Sequence, residues 1–268
     1  MYIPFSVTPS LNQLIDLALT EDLQGGDATT ESIFSGEEQA VARLIAKSPL
    51  VVCGLPLLDP LIDRMGATLS YQIHLAEGDD ASPGDCILTM EGSALELLML
   101  ERTLLNFLQH LSGIATHTRR VVRLAKGAAR IVDTRKTIPG FRQLAKYAVR
   151  VGGGYNHRMN LAGGVMIKDN HIDVAGSIKG AVERVRQNAP HTVQIEVEVR
   201  NEDEVREAIT AGAQILLLDN MSPERMQAIT KRHKGEAIFE ASGGITEESL
   251  EAVATSGVDI ISLGALTH

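Results

Sequence analysis

The sequence predicts an α/β protein in which a small α+β layer precedes a set of parallel strands with helices outside them. Two observations carry this. From Ala129 onward, short apolar runs at Ile131–Asp133, Val165–Lys168, Gln194–Glu198, Ile215–Asp219, Ile238–Ser242 and Ile260–Leu263 alternate with amphipathic stretches. Such βα repetition implies parallel strands flanked by helices, as a barrel or as an open doubly wound sheet. The second observation favours the barrel. Asp133, Lys168, Glu198, Asp219, Ser242 and Gly264 stand at the C-terminal end of one strand after another, and barrels carry their active sites on that rim.

Taken in order, Ser10 can cap a helix whose apolar face is Leu11, Leu14, Ile15 and Ala18, the spacing that a period of 3.6 residues requires. Its end runs into a turn at Glu21–Asp27. Ala40–Ala46 and Val51–Gly54 have strand character, Leu69–Leu75 alternates as a half-buried strand does, and turns at Gly78–Asp80 and Pro83–Asp85 lead into a strand over Cys86–Met90. From Ala94 to Leu111 leucines point nearly all round a helix, which predicts a buried one. Arg102 within it either snorkels to the surface or reaches an anion, because a charge taken out of water needs a partner. The later helices are expected at Ser177–Gln187, Glu202–Ala211, Ser222–Arg232 and Thr246–Ser256.

Composition excludes several classes of function. The chain has 268 residues, 44% hydrophobic content and no long apolar run, so no transmembrane helix is expected, nor does the N-terminus look like a secretion signal. Two cysteines, Cys53 and Cys86, are too few for a disulfide framework or a zinc site, which suggests a reducing cytoplasm. A net charge of −9 makes a poor nucleic-acid binder. A basic cluster inside such a chain should serve a small, strongly anionic ligand.

That cluster lies between Asp133 and Asp169, where no Asp or Glu occurs while Arg135, Lys136, Arg142, Lys146, Arg150, Arg158 and Lys168 do. Pro139, Gly140 and the Gly152–Gly154 run interrupt it, so the charges should not all lie on one exposed helix, and glycines let backbone approach a ligand. Arg135 and Arg158 can fork onto carboxylates. Ser242-Gly243-Gly244 and Ser262-Leu263-Gly264 follow the last two strands, where backbone amides bind phosphate in barrels. Glu198 and Asp219 would face each other as two hard oxygen ligands, a set that suits Mg2+ with pyrophosphate or, alternatively, two capping carboxylates. Glu196 has the same facing as Glu198. Lys168 is either a fixed cation or a Schiff-base lysine, and His157 and His171 either bases or structural residues. Together these residues predict a site for one carboxylate-rich and one phosphate-rich ligand.

The text at these positions resembles the quinolinate phosphoribosyltransferase family, also called carboxylating nicotinate-nucleotide pyrophosphorylases. The resemblance rests on Glu21-Asp22-Leu23 with Gly26-Asp27, Glu101–Asn106, Leu111–Thr116, Asp133–Thr137, Lys146–Val149, Asn156-His157-Arg158, Lys168–His171, Glu196–Val199 and Leu218-Asp219-Asn220. It implies an N-terminal α/β sandwich over residues 1–112 and an incomplete, TIM-like α/β barrel over 113–268. It also implies a cytoplasmic homodimer whose sites lie at the subunit interface. Quinolinate would be held by Arg135, His157 and Arg158, with Arg102 coming from the partner subunit. Lys136, Lys168, Glu198 and Asp219 would hold phosphoribosyl pyrophosphate and Mg2+, and the Ser242–Gly244 and Ser262–Gly264 turns its 5′-phosphate. Asn160 and Gly163 depart from the family pattern, and a strand that usually follows Thr267-His268 is not in the sequence. A pyrophosphorylase-like paralogue linked to molybdenum transport is the nearest alternative, disfavoured by Lys168–His171. A Schiff-base barrel aldolase is the second.

Overall fold

Pro9 lacks an amide hydrogen and has a fixed φ suited to the first turn of a helix, and it sets where the chain begins its regular structure. In the computed structural model, which describes residues 5–268, helix α1 (Pro9–Leu23) is capped by Thr8, whose hydroxyl accepts the Leu11 N–H. The cap is therefore Thr8 and not Ser10, because Pro9 takes the first helical position. The helix also runs on through Glu21 and Asp22, which had been expected in the following turn.

The chain divides into two units, one ending at Arg119 but including Ile138–Gly153, the other made of Arg120–Thr137 and Gly154–His268. In the first, Asp27 accepts the N–H groups of Thr29 and Thr30 and so opens the short helix α2 (Thr30–Ile33). Strands β1 (Gln39–Ile45), β3 (Ser70–Ile73) and β5 (Cys86–Ser93) form an antiparallel sheet in the order β1-β5-β3, and β2 (Leu50–Val51) pairs with β4 (Asp80–Ala81). The alternation at Leu69–Leu75 does not produce a half-buried strand: all four β3 residues are exposed. Helix α3 (Leu58–Met65) ends on Gly66 in the left-handed region, a conformation glycine adopts without strain.

Helix α4 (Ala94–Leu124) is longer than the leucine-rich stretch that predicts it, and the division between the units falls inside it. Leu97, Leu100, Leu104, Phe107, Leu108 and Leu111 are buried, but Leu98 is 44% exposed and Glu101 and Arg102 are on the surface. A helix of period 3.6 keeps one stripe outward even when leucines crowd its sequence, so burial on all sides is corrected to burial on one face. Ser112 and Thr116 explain part of the Leu111–Thr116 motif: Ser112 Oγ receives the Cys53 N–H at 3.1 Å, and Thr116 Oγ1 the Val51 N–H at 2.8 Å. Helix α5 (Arg142–Val151) ends at Gly152, where a Cβ would lie 2.6 Å from the Ala115 carbonyl oxygen. That glycine serves close packing of α5 on α4, not approach to a ligand.

The second unit is a six-stranded parallel α/β sheet in the strand order of an incomplete barrel. Strands β6 (Arg130–Val132), β7 (Val165–Ile167), β8 (Ile195–Val199), β9 (Ile215–Asp219), β10 (Ile238–Ser242) and β11 (Ile260–Ser262) pair in the order β6-β11-β10-β9-β8-β7, every pair parallel. Helices α6 (Asp169–Ala175), α7 (Ile178–Asn188), α8 (Glu202–Ala211), α9 (Pro223–Arg232) and α10 (Glu247–Ala254) connect them. Ser177, Asn201, Ser222 and Thr246 each accept an N–H of the first turn, which is why four of these helices begin where polar residues interrupt the apolar pattern. Burial alternates poorly along β8 and β9 because apolar side chains of parallel strands are covered on both faces. The polar residues at their C-terminal ends are the exception, and they gather.

Candidate active site

Those strand ends surround a cavity of about 750 Å3 built wholly from the second unit. Of the residues that the family resemblance assigns to the site, all line it except Arg102, which is exposed on α4 in the first unit; Glu196 and His171 are not among the lining residues. Arg142, Lys146 and Arg150 also stand apart, on α5. The basic run thus splits, and Arg135, Lys136, Arg158 and Lys168 are the cations that it contributes to the cavity.

Each is positioned by its own local structure. Thr134 Oγ1 receives the Lys136 N–H at 3.0 Å, and the Lys136 carbonyl accepts the Thr267 hydroxyl at 2.7 Å, so the Thr134–Lys136 turn is pinned from both ends. Asp133, fully buried, accepts the Asn156 side-chain amide at 2.6 Å and the His157 N–H at 2.9 Å. That carboxylate holds the segment carrying Arg158. The Arg158 guanidinium donates to the Gly164 carbonyl at 2.8 Å, and its pKa is lowered by burial and by Arg135, with Glu196 opposing. Asn160 caps the short turn Leu161–Gly163 by accepting the Ala162 N–H, which gives this departure from the family pattern a local role.

Lys168 precedes α6, and its N–H donates to His171 Nδ1 at 2.9 Å. His171 is therefore a helix-start residue. Lys168 Nζ lies 3.5 Å from Glu198 Oε2. Burial raises the Glu198 carboxyl above its ordinary value, Lys168 pulls it down, and Asp219 pushes it up again. Asp219 Oδ2 accepts the Asn220 side-chain amide at 2.8 Å, while Asn220, at φ +51, donates its own N–H to the Ser242 carbonyl at 2.9 Å. Gly243 is at φ +89, and a Cβ there would lie 2.4 Å from Asn220 Oδ1. Asn220 thus ties the Asp219 carboxylate to the Ser242–Gly244 turn, and only glycine fits against it. At Gly264 a Cβ would meet His268 Nε2 at 2.8 Å and Lys136 Cδ at 3.2 Å, both on side chains long enough to shift.

Two contributions were missed in the sequence. Asn220 carries no signal in the sequence beyond its place in Leu218-Asp219-Asn220. Glu240, an acid inside the apolar run Ile238–Ser242, is 2% exposed and lines the cavity. Its carboxyl is pushed up to about 7 by burial and by Glu196, against the opposing pull of His157. An acid at a position where the strand pattern calls for an apolar side chain was the available signal.

A cluster of cations, two carboxylates at adjacent strand ends and glycine turns after β10 and β11 is a site for highly charged anions, and comparison with known proteins identifies which family uses it. Residues 114–268 match the family described as quinolinate phosphoribosyl transferase, C-terminal domain, and residues 27–112 the corresponding N-terminal domain. The chain belongs to the quinolinate phosphoribosyltransferase family. It is 46% identical over 259 residues to a Bacillus subtilis protein named "Probable nicotinate-nucleotide pyrophosphorylase [carboxylating]", covering 96% of this chain and 89% of that one. The human nicotinate-nucleotide pyrophosphorylase (carboxylating) is 38% identical over 265 residues, 97% of this chain and 88% of its own. Among solved structures, NadC from Streptococcus pyogenes superposes with a TM-score of 0.94 at 39% identity, covering 99% of this chain and 94% of that one. As in other quinolinate phosphoribosyltransferases, an antiparallel-sheet domain precedes a six-stranded parallel α/β domain.

Proposed function

We propose that this cavity is where the chain performs its family's reaction: phosphoribosyl passes from phosphoribosyl pyrophosphate to quinolinate with decarboxylation. The products are nicotinate mononucleotide, pyrophosphate and carbon dioxide, a step of de novo NAD biosynthesis. The observation that carries the reading is the convergence on one cavity of Arg135, Lys136, Arg158 and Lys168 with Glu198, Asp219 and two glycine turns.

Arg135 and Arg158 hold the two carboxylates of quinolinate, since a planar guanidinium matches a carboxylate with two parallel hydrogen bonds. Lys136 and Lys168 take the pyrophosphate, and the Ser242–Gly244 and Ser262–Gly264 turns the 5′-phosphate. Glu198 and Asp219 fit magnesium: each ends a neighbouring strand, both line the cavity, and the Asp219 charge raises the Glu198 carboxyl, as expected of two carboxylates facing one space. Bound there with the substrate phosphates, the ion would neutralise charge on the departing pyrophosphate. The lysines supply the same stabilisation from fixed positions, which costs no reorganisation as charge develops. The arginines orient the ring nitrogen toward C1 of the ribose. Once that nitrogen is quaternary, its charge stabilises the carbanion left by loss of the adjacent carboxylate, so no covalent nucleophile is needed.

The working unit is a homodimer in which Arg102 completes the partner's site. Its exposure on α4 leaves it available for that role. The protein works in the cytoplasm, a reading supported by the free thiols of Cys53 and Cys86; no described helix is long and apolar enough to cross a membrane. Purified protein given quinolinate and phosphoribosyl pyrophosphate should form nicotinate mononucleotide and carbon dioxide one to one, and stop when magnesium is chelated. Product formation undiminished in excess chelator would remove the metal from the reading.

A further inference from the structure

Glu196 on β8 and Glu240 on β10 are 5% and 2% exposed, and one ligand atom from each of His157, Glu196 and Glu240 lies within 4.8 Å of the others. His157 Nε2 is 3.4 Å from Glu196 Oε2 and 3.7 Å from Glu240 Oε1. Neither Glu196 Oε1 nor Glu240 Oε1 has a hydrogen-bond partner. Folded proteins keep few buried polar atoms in that state, so two of them beside one imidazole call for an explanation.

The other ring nitrogen supplies it. His157 Nδ1 accepts the Arg158 N–H at 2.7 Å, so the ring proton sits on Nε2, the atom that faces the two acids. The imidazole therefore bridges a buried acid pair and the backbone of a cavity arginine. Glu196 acts on the same arginine through space, favouring its charged form against burial and Arg135.

We propose that Glu196 and Glu240 are positioning residues for the acceptor half of the cavity, holding the His157 imidazole and, through it, the Arg158 backbone where Arg158 meets the acceptor's carboxylate. Two strands flanking β9 supply the acids, so the ring is received by both and its orientation is set before any ligand enters. The inference rests on reading this cavity as a quinolinate site and goes beyond it in assigning the acids a task.

A double-mutant cycle separates this from a merely structural pair. Glu240→Leu should raise the KM for quinolinate about tenfold, leaving kcat and the KM for phosphoribosyl pyrophosphate within about twofold. In a His157→Ala background the same substitution should change the quinolinate KM by less than about twofold, because the route through which it acts is gone. Glu240→Gln, which keeps a polar oxygen facing Nε2, should restore most of the affinity, and Glu196→Gln with Glu196→Leu gives a second arm if Glu240→Leu does not fold. Equal effects with and without His157, or lowered thermal stability at unchanged quinolinate KM, would overturn the proposal. So would one equivalent of a divalent metal in the purified protein that disappears in Glu240→Gln, since the cluster would then be a metal centre. An unaltered chain that does not turn over quinolinate would overturn the functional reading and this inference together, whereas normal turnover with an additive cycle overturns the inference alone.

Discussion

Glu198→Gln and Asp219→Asn should each lower kcat/KM for phosphoribosyl pyrophosphate by about 100- to 1000-fold, or about 3–4 kcal/mol of transition-state stabilisation. Both substitutions keep shape and hydrogen-bonding capacity while removing the charge that a hard cation needs. Quinolinate binding, measured by calorimetry, should change little. Loss of quinolinate binding with phosphoribosyl pyrophosphate binding intact would reverse the assignment of the two halves of the cavity. A pH effect follows from the same geometry. Burial raises the Glu198 carboxyl, and Asp219 adds to the rise against Lys168, so protons compete with magnesium for Glu198. The magnesium concentration needed for half-maximal activity should therefore increase as pH falls toward that raised value.

The second large effect is a recovery. Arg102→Ala and Lys168→Ala proteins should each be inactive alone, yet regain roughly a quarter of wild-type activity when mixed, unfolded and refolded, if a two-fold dimer shares its sites. In a mixed dimer the subunit that keeps Lys168 receives an intact Arg102 from its partner, so one site of two is rebuilt. Random pairing makes about half the dimers mixed. If Arg102 served its own subunit, every site would lack one residue or the other and the mixture would stay inactive.

Much of the parallel sheet could be read from the chain because its strands are apolar runs that end in a charged or small residue, as Leu216-Leu217-Leu218-Asp219 does. That pattern locates both the strand and the rim, and Glu198 and Asp219 accordingly line one cavity. Helix α5 was not legible in the same way. Arg142, Lys146 and Arg150 recur every four residues, which is helical spacing, but the flanking Pro139, Gly140 and Gly152–Gly154 run point to an interrupted segment in which the charges do not share one helix. Lys146 is 1% exposed, and a buried lysine has no signature in a charge pattern. The acid pair was obscured for a related reason. Glu196 on β8 and Glu240 on β10 are separated in the chain by α8, β9 and α9, and their meeting at His157 depends on the order β10-β9-β8, a tertiary fact. The Thr8 cap, by contrast, was legible. Pro9 should have outweighed Ser10, since a proline at the first helical position requires its cap to precede it.

The claim that most depends on the cavity's geometry is that Arg135 and Arg158 clamp two carboxylates, and the direct measurement compares quinolinate with nicotinate as acceptor for the unaltered protein and for Arg158→Ala. The unaltered protein should prefer quinolinate by at least about 100-fold in kcat/KM, since a charge-assisted hydrogen bond lost to a missing carboxylate costs about 1.5–3 kcal/mol and leaves a desolvated arginine behind. Arg158→Ala should lose most of that preference, and Arg158→Lys should not restore it, because an ammonium cannot reproduce the fork. Equal turnover of the two acceptors by the unaltered protein, or a preference that survives Arg158→Ala intact, would contradict the dicarboxylate site.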